Sequence, residues 1–331
     1  NMSMDVTDLV HPDVAALAVL AARVVGLDIA GVDLVAQDIS KPLGPQGGAV
    51  VEVNAGPGLL MHLKPATGQP RPVGQAIANH LFKPEDNGRI PVVGLMGDGD
   101  TTQAAQLLAW LLHLKGLHTG LSCANGLFLN QRQLPTQDGM DWAQGQRLLI
   151  NRGVQAAVFE SDARHLLAQG LPYDRCQIGI VTRMPRATGL DDLFPGGDQK
   201  MPGYIRTQID VVLPEGTAVL NAAEDEVAAL AEHCDGDVLL YAEDEHKARL
   251  QAHRSAGHRV GFWREGQLVL AQGAKEHLVL SSQRPAVARL LKNGSLNTSD
   301  MLVAACAAWA LDIGTDLIRA GIKSYGSLPT A

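Results

Sequence analysis

From Ile90 onward, short apolar runs of strand length alternate with stretches in which apolar residues recur at helical spacing. This alternation predicts an α/β domain with a mostly parallel sheet, flanked by helices and joined by right-handed crossovers. We predict strands for this sheet at Pro91–Met96, Ala156–Phe159, Ile178–Thr182, Thr217–Asn221, Asp237–Tyr241 and Arg259–Phe262.

Two stretches of the same region depart from that rhythm. The sequence "FWREGQLVLAQGAKEHLVL", from Phe262 to Leu280, contains short Gly turns between apolar runs and predicts an antiparallel meander. Ser299–Tyr325 is apolar on both sides of the turn "DIGTD" and predicts two terminal helices.

The part of the chain before Ile90 is shorter and less regular. Its pattern predicts helices at Val14–Val25 and Val73–Phe82, strands at Ile29–Ala36 and Ala49–Ala55, and a loop at Gly56–Pro72. The charged, turn-rich segment that follows predicts a domain boundary. We therefore divide the chain into a first domain at 1–83, a linker at 84–89, a second domain at 90–298 and terminal helices at 299–331.

Composition narrows the class of protein. Hydrophobic residues make up 46% of the 331 residues, enough for a sizeable core. The chain has 27 Lys and Arg residues against 35 Asp and Glu residues, and a net charge of −8 argues against broad nucleic-acid binding. The four cysteines form no CxxC motif. No apolar run reaches the roughly 18 residues that a membrane span requires. We expect a cytoplasmic protein that contacts neither nucleic acid nor membrane.

The two predicted strands of the first domain carry an oxygen-rich set of side chains. Asp33 lies on one strand, and Glu52 and Asn54 lie on the next. Because side chains alternate along a strand, Glu52 and Asn54 point to the same face, and Asp33 joins them if the strands pair. Carboxylate and amide oxygens suit Mg²⁺ and the phosphates it carries. The alternative is that these are ordinary polar residues at a strand edge.

The stretch "PVVGLMGDGDTT" has the layout of a phosphate-binding loop, because an apolar strand is followed by a Gly turn and a helix. Asp100 stands where such a loop has a lysine, and Asp98 adds a second negative charge. Replacing attraction by repulsion costs on the order of 8 kcal/mol per phosphate charge at an effective dielectric near 20. We interpret Gly97, Gly99, Asp100 and Thr101 as a degenerate loop kept for its fold. The alternative is that the acidic residues hold a metal ion at a different kind of site.

Three stretches resemble the cyanophycin synthetase family and follow one another as they do in that family. They are "MDVTDLVHPDVAALAVLAARVVGLDIAGVDLVA", "VVEVNAGPGLLMHL" and "GRIPVVGLMG", and the resemblance extends from about Met4 to Tyr325. It implies the C-terminal part of an ATP-grasp domain, followed by a Mur-ligase-like central domain. It also implies an ATP-dependent carboxylate–amine ligase that uses ATP and Mg²⁺.

Carried over residue by residue, the resemblance makes Asp33, Glu52 and Asn54 the metal ligands. It places the loop Ala55–His62, with Gly58 and His62, against the acceptor substrate. In the second domain, Glu160 matches the family's metal-binding glutamate, and we interpret it as vestigial. No catalytic residue is assigned.

The second domain departs from the family at several positions. Its loop is one residue shorter and lacks the lysine, and Arg164-His165 replace a Gly-Gly pair. "TRMPRATGLDDLFPGG" stands where the family has a segment with a metal-binding histidine. Only "GSLPTA" follows the terminal helices, so we expect a C-terminal ligase domain to be absent or truncated. About 80 residues precede the linker, so we also expect the upstream half of the ATP-grasp domain to be missing from this chain.

These departures favour the second type of the family, which polymerises preformed β-aspartyl-arginine dipeptides at the ATP-grasp site while an inactive Mur-like domain is kept for structure. The expected partners are the cyanophycin chain or the dipeptide, and we expect a homo-oligomer. One alternative is an ordinary cyanophycin synthetase that adds aspartate and arginine separately. Another is a non-catalytic oligomerisation scaffold.

Overall fold

The computed structural model describes residues 2–84, 86–99, 101–190, 192–193 and 197–326. The chain divides into two compact units, Asn1–Arg89 and Ile90–Ala331. None of the helices in the described part of the chain combines the length and apolar character needed to cross a bilayer.

The first unit is built on a two-stranded antiparallel sheet. Its elements are Pro12–Val25 (α1), Gly31–Val35 (β1), Ala49–Asn54 (β2), Leu60–Leu63 (α2) and Val73–Leu81 (α3). α1 begins where the His11 side chain accepts a hydrogen bond from the Asp13 amide, and it ends at Gly26, whose φ of +83° suits glycine. The prediction of loop throughout Gly56–Pro72 was wrong at α2, because four good helix formers fit one turn between the prolines.

Little of the first unit is buried. Among its described residues, only Val14 and Leu43 fall in the buried class. Large apolar side chains are exposed on α1 (including Leu20 and Val24), and Val35 and Val51 are exposed on the sheet. A two-stranded sheet with so small a core is weakly stabilised by its own packing. The exposed apolar surface is of the kind that contacts further protein.

The second unit contains one mixed sheet with helices on both faces. Its strands are Val92–Met96 (β3), Thr119–Cys123 (β4), Gly126–Leu129 (β5), Arg132–Leu134 (β6), Ala156–Ser161 (β7), Cys176–Val181 (β8), Val212–Asn221 (β9), Asp237–Ala242 (β10), Arg259–Arg264 (β11), Gln267–Gln272 (β12) and Lys275–Ser281 (β13). Its α-helices are Thr102–Leu114 (α4), Trp142–Leu149 (α5), Ala163–Gln169 (α6), Met201–Ile205 (α7), Thr207–Asp210 (α8), Asp225–Ala229 (α9), Ala248–Ser255 (α10), Pro285–Lys292 (α11), Thr298–Ala310 (α12) and Thr315–Ser324 (α13).

The sheet order is β13-β12-β11-β10-β9-β8-β3-β7-β4-β5-β6. The strands from β11 to β4 in this order are parallel, and an antiparallel pair of strands extends each edge. The predicted parallel sheet and the predicted meander are therefore confirmed. β4 is a parallel strand that the sequence analysis missed.

Successive side chains of the central strands enter two different cores, because both faces of the sheet are covered. Leu95 packs with α4 and α12 on one face, whereas Met96 packs with α6, α7 and α10 on the other. α12 is almost fully buried and begins with a capping box between Asn297 and Asp300. The terminal helices are thus part of the second unit, packed into its main core.

Candidate functional site

The structure brings Asp33, Glu52 and Asn54 together on one face of the small sheet. Asp33 on β1 lies directly opposite Glu52 on β2. Directly opposed residues in an antiparallel pair point to the same face, and Asn54 shares that face because it is two positions from Glu52. The Asn54 amide donates to Asp33 Oδ2 at 3.4 Å. The set therefore presents carboxylate and amide oxygens side by side, the ligand type that Mg²⁺ prefers.

A cavity of about 830 Å³ lies beside these residues. Asp33 and Asn54 line it, and so do Gly58 and His62 from the segment that follows β2. Asp5 lines the same cavity, and its carboxylate accepts hydrogen bonds from Arg71 at 2.8 and 3.0 Å. Two of the predicted ligands, Asp33 and Asn54, thus face one space with the predicted acceptor loop, whereas Glu52 does not line the cavity.

Close packing of the loop onto β1 shapes this cavity. A Cβ added at Gly31 would lie 2.8 Å from Pro57 Cβ, closer than real Cβ atoms approach one another. Glycine at position 31 therefore lets the "GPG" loop lie against the strand. The Arg71 guanidinium, hydrogen-bonded to Asp5, holds the pKa of that carboxyl well below its usual range, so Asp5 is ionised near the cavity.

In the second unit, the Gly loop connects β3 to α4 as the sequence predicts. Gly97 is buried, and a Cβ there would collide with Thr182 Oγ1. Gly99 has a φ of +104°, a conformation that favours glycine, and Asp98 is exposed. Asp100 lies outside the described residues.

Glu160, at the end of β7, is buried and holds the start of α4 to the sheet. Its carboxylate accepts hydrogen bonds from Thr101 at 2.7 Å and from Thr102 at 2.9 and 3.0 Å. The backbone amide of Ala124 donates to it at 2.9 Å. These donors satisfy a buried carboxylate without a cation, which favours a structural role for Glu160.

A cavity of about 320 Å³ opens next to the Gly loop. Its lining includes Asp98 and Asp300, with Arg183 as the one basic side chain among the described lining residues. Arg183 also lies 3.5 Å from Glu224. A polyphosphate entering this cavity therefore meets more carboxylates than cations.

The structure also groups residues that the sequence analysis did not connect. Asp138, Asp141 and His165 each place one side-chain atom within 4.8 Å of the others. The hydrogen bond to Asp162 has the largest effect on the pKa of His165. Together with the hydrogen bond to Asp138, it raises that pKa to about 9. The only sequence signal was the pair of short spacings, Asp138 to Asp141 and Asp162 to His165. Neither spacing indicates that the two pairs meet.

No family model matches the chain. Curated relatives include cyanophycin synthetases from Nostoc sp. and Synechocystis sp., both 29% identical, over 326 and 328 residues. The alignments cover 98% of this chain but 36% and 37% of those proteins, so the chain spans little more than a third of their length. A match of 82 residues at 35% identity, 24% of this chain and 11% of the relative, is to the glutathione biosynthesis bifunctional protein GshAB of Mannheimia succiniciproducens.

Among solved structures, UDP-N-acetylmuramoyl-L-alanyl-D-glutamate–2,6-diaminopimelate ligase is similar to this chain with a TM-score of 0.52 at 14% identity. The match covers 72% of this chain and 47% of that one. This likeness shows a Mur-ligase-like α/β fold with a large, mostly parallel sheet flanked by helices.

Proposed function

We propose that this chain, a relative of the cyanophycin synthetases with a Mur-ligase-like domain, is part of an ATP-dependent carboxylate–amine ligase. The observation that carries the proposal is the grouping of Asp33, Glu52 and Asn54 on one sheet face, next to a cavity that Asp33 and Asn54 line together with Gly58 and His62. In this proposal the first unit is the C-terminal part of an ATP-grasp domain. Its exposed apolar side chains support that role, since they are suited to packing against the rest of such a domain.

The reaction forms an amide in two steps. A substrate carboxylate oxygen attacks the γ-phosphorus of ATP, which yields an acyl phosphate and ADP. An amine nitrogen then attacks the acyl carbon, phosphate leaves, and the nitrogen loses a proton. Asp33, Glu52 and Asn54 would hold Mg²⁺, which neutralises the charge of the ATP phosphates. Gly58 and His62 would line the path of the acceptor.

We further propose that the monomer is a β-aspartyl-arginine dipeptide, added to a growing cyanophycin chain. A monomer that already carries its arginine makes a second ligation site unnecessary. The acidic Gly loop, with Asp98 exposed and Asp100 in place of lysine, supports an inactive Mur-like domain. The hydrogen bonds of Glu160 to Thr101 and Thr102 support its retention for structure.

The test uses the full-length protein that contains this chain, with ATP, Mg²⁺ and a cyanophycin primer. We expect elongation with the dipeptide and none with free aspartate and arginine. Glu52→Gln lowers the elongation rate by about two orders of magnitude or more, because a metal ligand is lost. Asp98→Ala, a control at an exposed position of the Gly loop, leaves the rate unchanged.

Two other outcomes would replace the proposal. Efficient elongation from free aspartate and arginine would indicate an ordinary two-amino-acid synthetase. Absence of ATP·Mg²⁺ binding by the full-length protein in a calorimetric titration would indicate a non-catalytic scaffold. Light scattering on the same sample tests the expected homo-oligomer.

A further inference from the structure

A second cluster of potential metal ligands lies in the other unit. Asp138 and Asp141 occupy the turn between β6 and α5, and His165 lies in the first turn of α6. The two segments are far apart in sequence but meet because β4, which precedes the turn in the chain, pairs with β7, which leads into α6. One side-chain ligand atom from each of the three residues lies within 4.8 Å of the others.

The histidine ring is held in a metal-binding orientation. Its Nδ1 lies 2.8 Å from Asp162 Oδ1, and its Nε2 lies 3.0 Å from Asp138 Oδ2. Asp162 is itself fixed as the N-cap of α6, since its Oδ1 accepts the His165 amide at 2.8 Å. When Nδ1–H donates to Asp162, the lone pair of Nε2 points into the cluster. Proteins orient metal-ligating histidines in this way.

The two aspartates are also positioned by hydrogen bonds that leave an oxygen for the cluster. Asp138 Oδ1 accepts the Met140 amide at 2.9 Å, while Oδ2 faces His165. Asp141 Oδ1 accepts from the Gln169 side chain at 2.9 Å. Each of the three candidate ligands thus has a positioning partner, as metal ligands in proteins commonly do.

From this geometry we propose that Asp138, Asp141 and His165 form a binding site for one transition-metal ion, best matched by Zn²⁺. Two carboxylates balance its double charge, and imidazole favours Zn²⁺ over Mg²⁺ or Ca²⁺. Zinc bonds to such ligands are about 2.0–2.2 Å, so tetrahedral ligand atoms lie roughly 3.3–3.6 Å apart. To reach that spacing, the His165 Nε2–Asp138 Oδ2 pair, now 3.0 Å apart, opens slightly, and atoms that lie up to 4.8 Å apart move closer together. A zinc site with three protein ligands leaves a fourth coordination position for water or a further ligand.

The site is independent of the proposed ligase function, because it uses no residue assigned to that chemistry. The site connects the turn that precedes α5 with the first turn of α6. That helix directly follows β7, the strand that carries Glu160. The competing explanation is a protonated His165 that bridges Asp162 and Asp138 and binds no metal. The two explanations differ in what the protein does when Zn²⁺ is offered.

The test uses this chain after treatment with a chelator and removal of the chelator by dialysis. Calorimetric titration with ZnCl₂ is expected to give about one Zn²⁺ per chain, and Co²⁺ in its place gives the absorption spectrum of tetrahedral coordination. His165→Gln and Asp141→Asn each abolish binding or weaken it by at least about tenfold, and Asp162→Asn, a positioning residue, weakens it by about 10–100-fold. Excess Mg²⁺ does not displace Zn²⁺.

Matched controls are His246→Gln, Asp235→Asn and Cys234→Ser, which lie outside the cluster and retain wild-type Zn²⁺ affinity. Circular dichroism verifies that each variant is folded. The proposal is overturned if the wild-type chain binds no Zn²⁺ at sub-millimolar concentration. It is equally overturned if folded His165→Gln and Asp141→Asn variants bind Zn²⁺ as tightly as the wild type.

Discussion

The hydroxyl of Thr102 lies 3.0 Å from one carboxylate oxygen of Glu160 and 2.9 Å from the other. This contact joins the first residue of α4 to the carboxyl end of β7, a buried central strand. The carboxylate also accepts from Thr101 and from the backbone of Ala124, so one side chain organises three segments at the carboxyl edge of the sheet.

Glu160→Ala is expected to lower the free energy of unfolding of the second unit by about 2–4 kcal/mol, because it removes the carboxylate that accepts hydrogen bonds from Thr101, Thr102 and the Ala124 amide. Denaturant unfolding monitored by tryptophan fluorescence measures this, since all four tryptophans lie in that unit. The control is Glu215→Ala at an exposed position, which stays within about 0.5 kcal/mol of the wild type. Equal effects of the two substitutions would contradict the structural role of Glu160.

A pH-dependent contribution is expected from Glu276 on β13. Two hydrogen bonds of 2.9 Å from Arg264 and an ion pair with Arg254 at 2.7 Å lower the pKa of Glu276 to about 2. A lowered pKa in the folded state means that the stabilisation is present above the unfolded pKa, near 4.5, and is lost as the pH falls towards 2.

Glu276→Gln therefore lowers the free energy of unfolding by roughly 1 kcal/mol at neutral pH, a value kept small because the pair is partly exposed. The difference from the wild type shrinks as the pH is lowered from neutral towards 2. Denaturant titrations across this range test the dependence. The control is Glu226→Gln at an exposed position. Its difference from the wild type in free energy of unfolding does not shrink as the pH is lowered. If Glu276→Gln is less stable than the wild type by the same amount at every pH, the loss of charge is not the cause of its lower stability.

The central sheet could be predicted from sequence because its strands contain mostly apolar runs, buried on both faces. β4 was missed because Thr119–Cys123 is rich in small and polar residues. The strand is nevertheless buried. Its polar side chains are satisfied there, because Ser122 donates to the Gly139 carbonyl and the Thr119 hydroxyl donates to the Leu117 carbonyl. Those partners come from distant or irregular segments that no periodic pattern reveals.

The first candidate site was also predicted only in part. Period-two alternation was enough to place Glu52 and Asn54 on one face, but the register that sets Asp33 opposite Glu52 depends on the connection between the strands. His165 and Asp138 lie on different connections of the sheet. Their contact follows from strand order, which the sequence pattern does not determine.

Thiol reactivity tests the packing of the second unit. Cys123, Cys176 and Cys306 are buried, whereas Cys234 is half-buried. Burial raises the pKa of Cys176 to about 12 and also raises that of Cys234, so thiolate is scarce at both positions. We expect slow labelling of the native chain by a thiol reagent, dominated by Cys234, and complete labelling after denaturation. Cys234→Ser then removes most of the native signal. Fast labelling that persists in this variant would contradict the described burial.

The last prediction concerns the loop that covers β1. A methyl group at position 31 would meet Pro57 Cβ at 2.8 Å, so Gly31→Ala displaces the "GPG" loop from the strand. The displacement moves Gly58 and His62 relative to Asp33 and Asn54 on the same cavity. Small shifts of positioning groups cost roughly 100-fold in rate, so ATP-dependent elongation by the full-length protein should fall to a similar degree. Gly44→Ala, where a Cβ meets nothing within 4 Å, is the matched control and keeps wild-type activity. Wild-type activity in Gly31→Ala would mean that the loop is not part of the site.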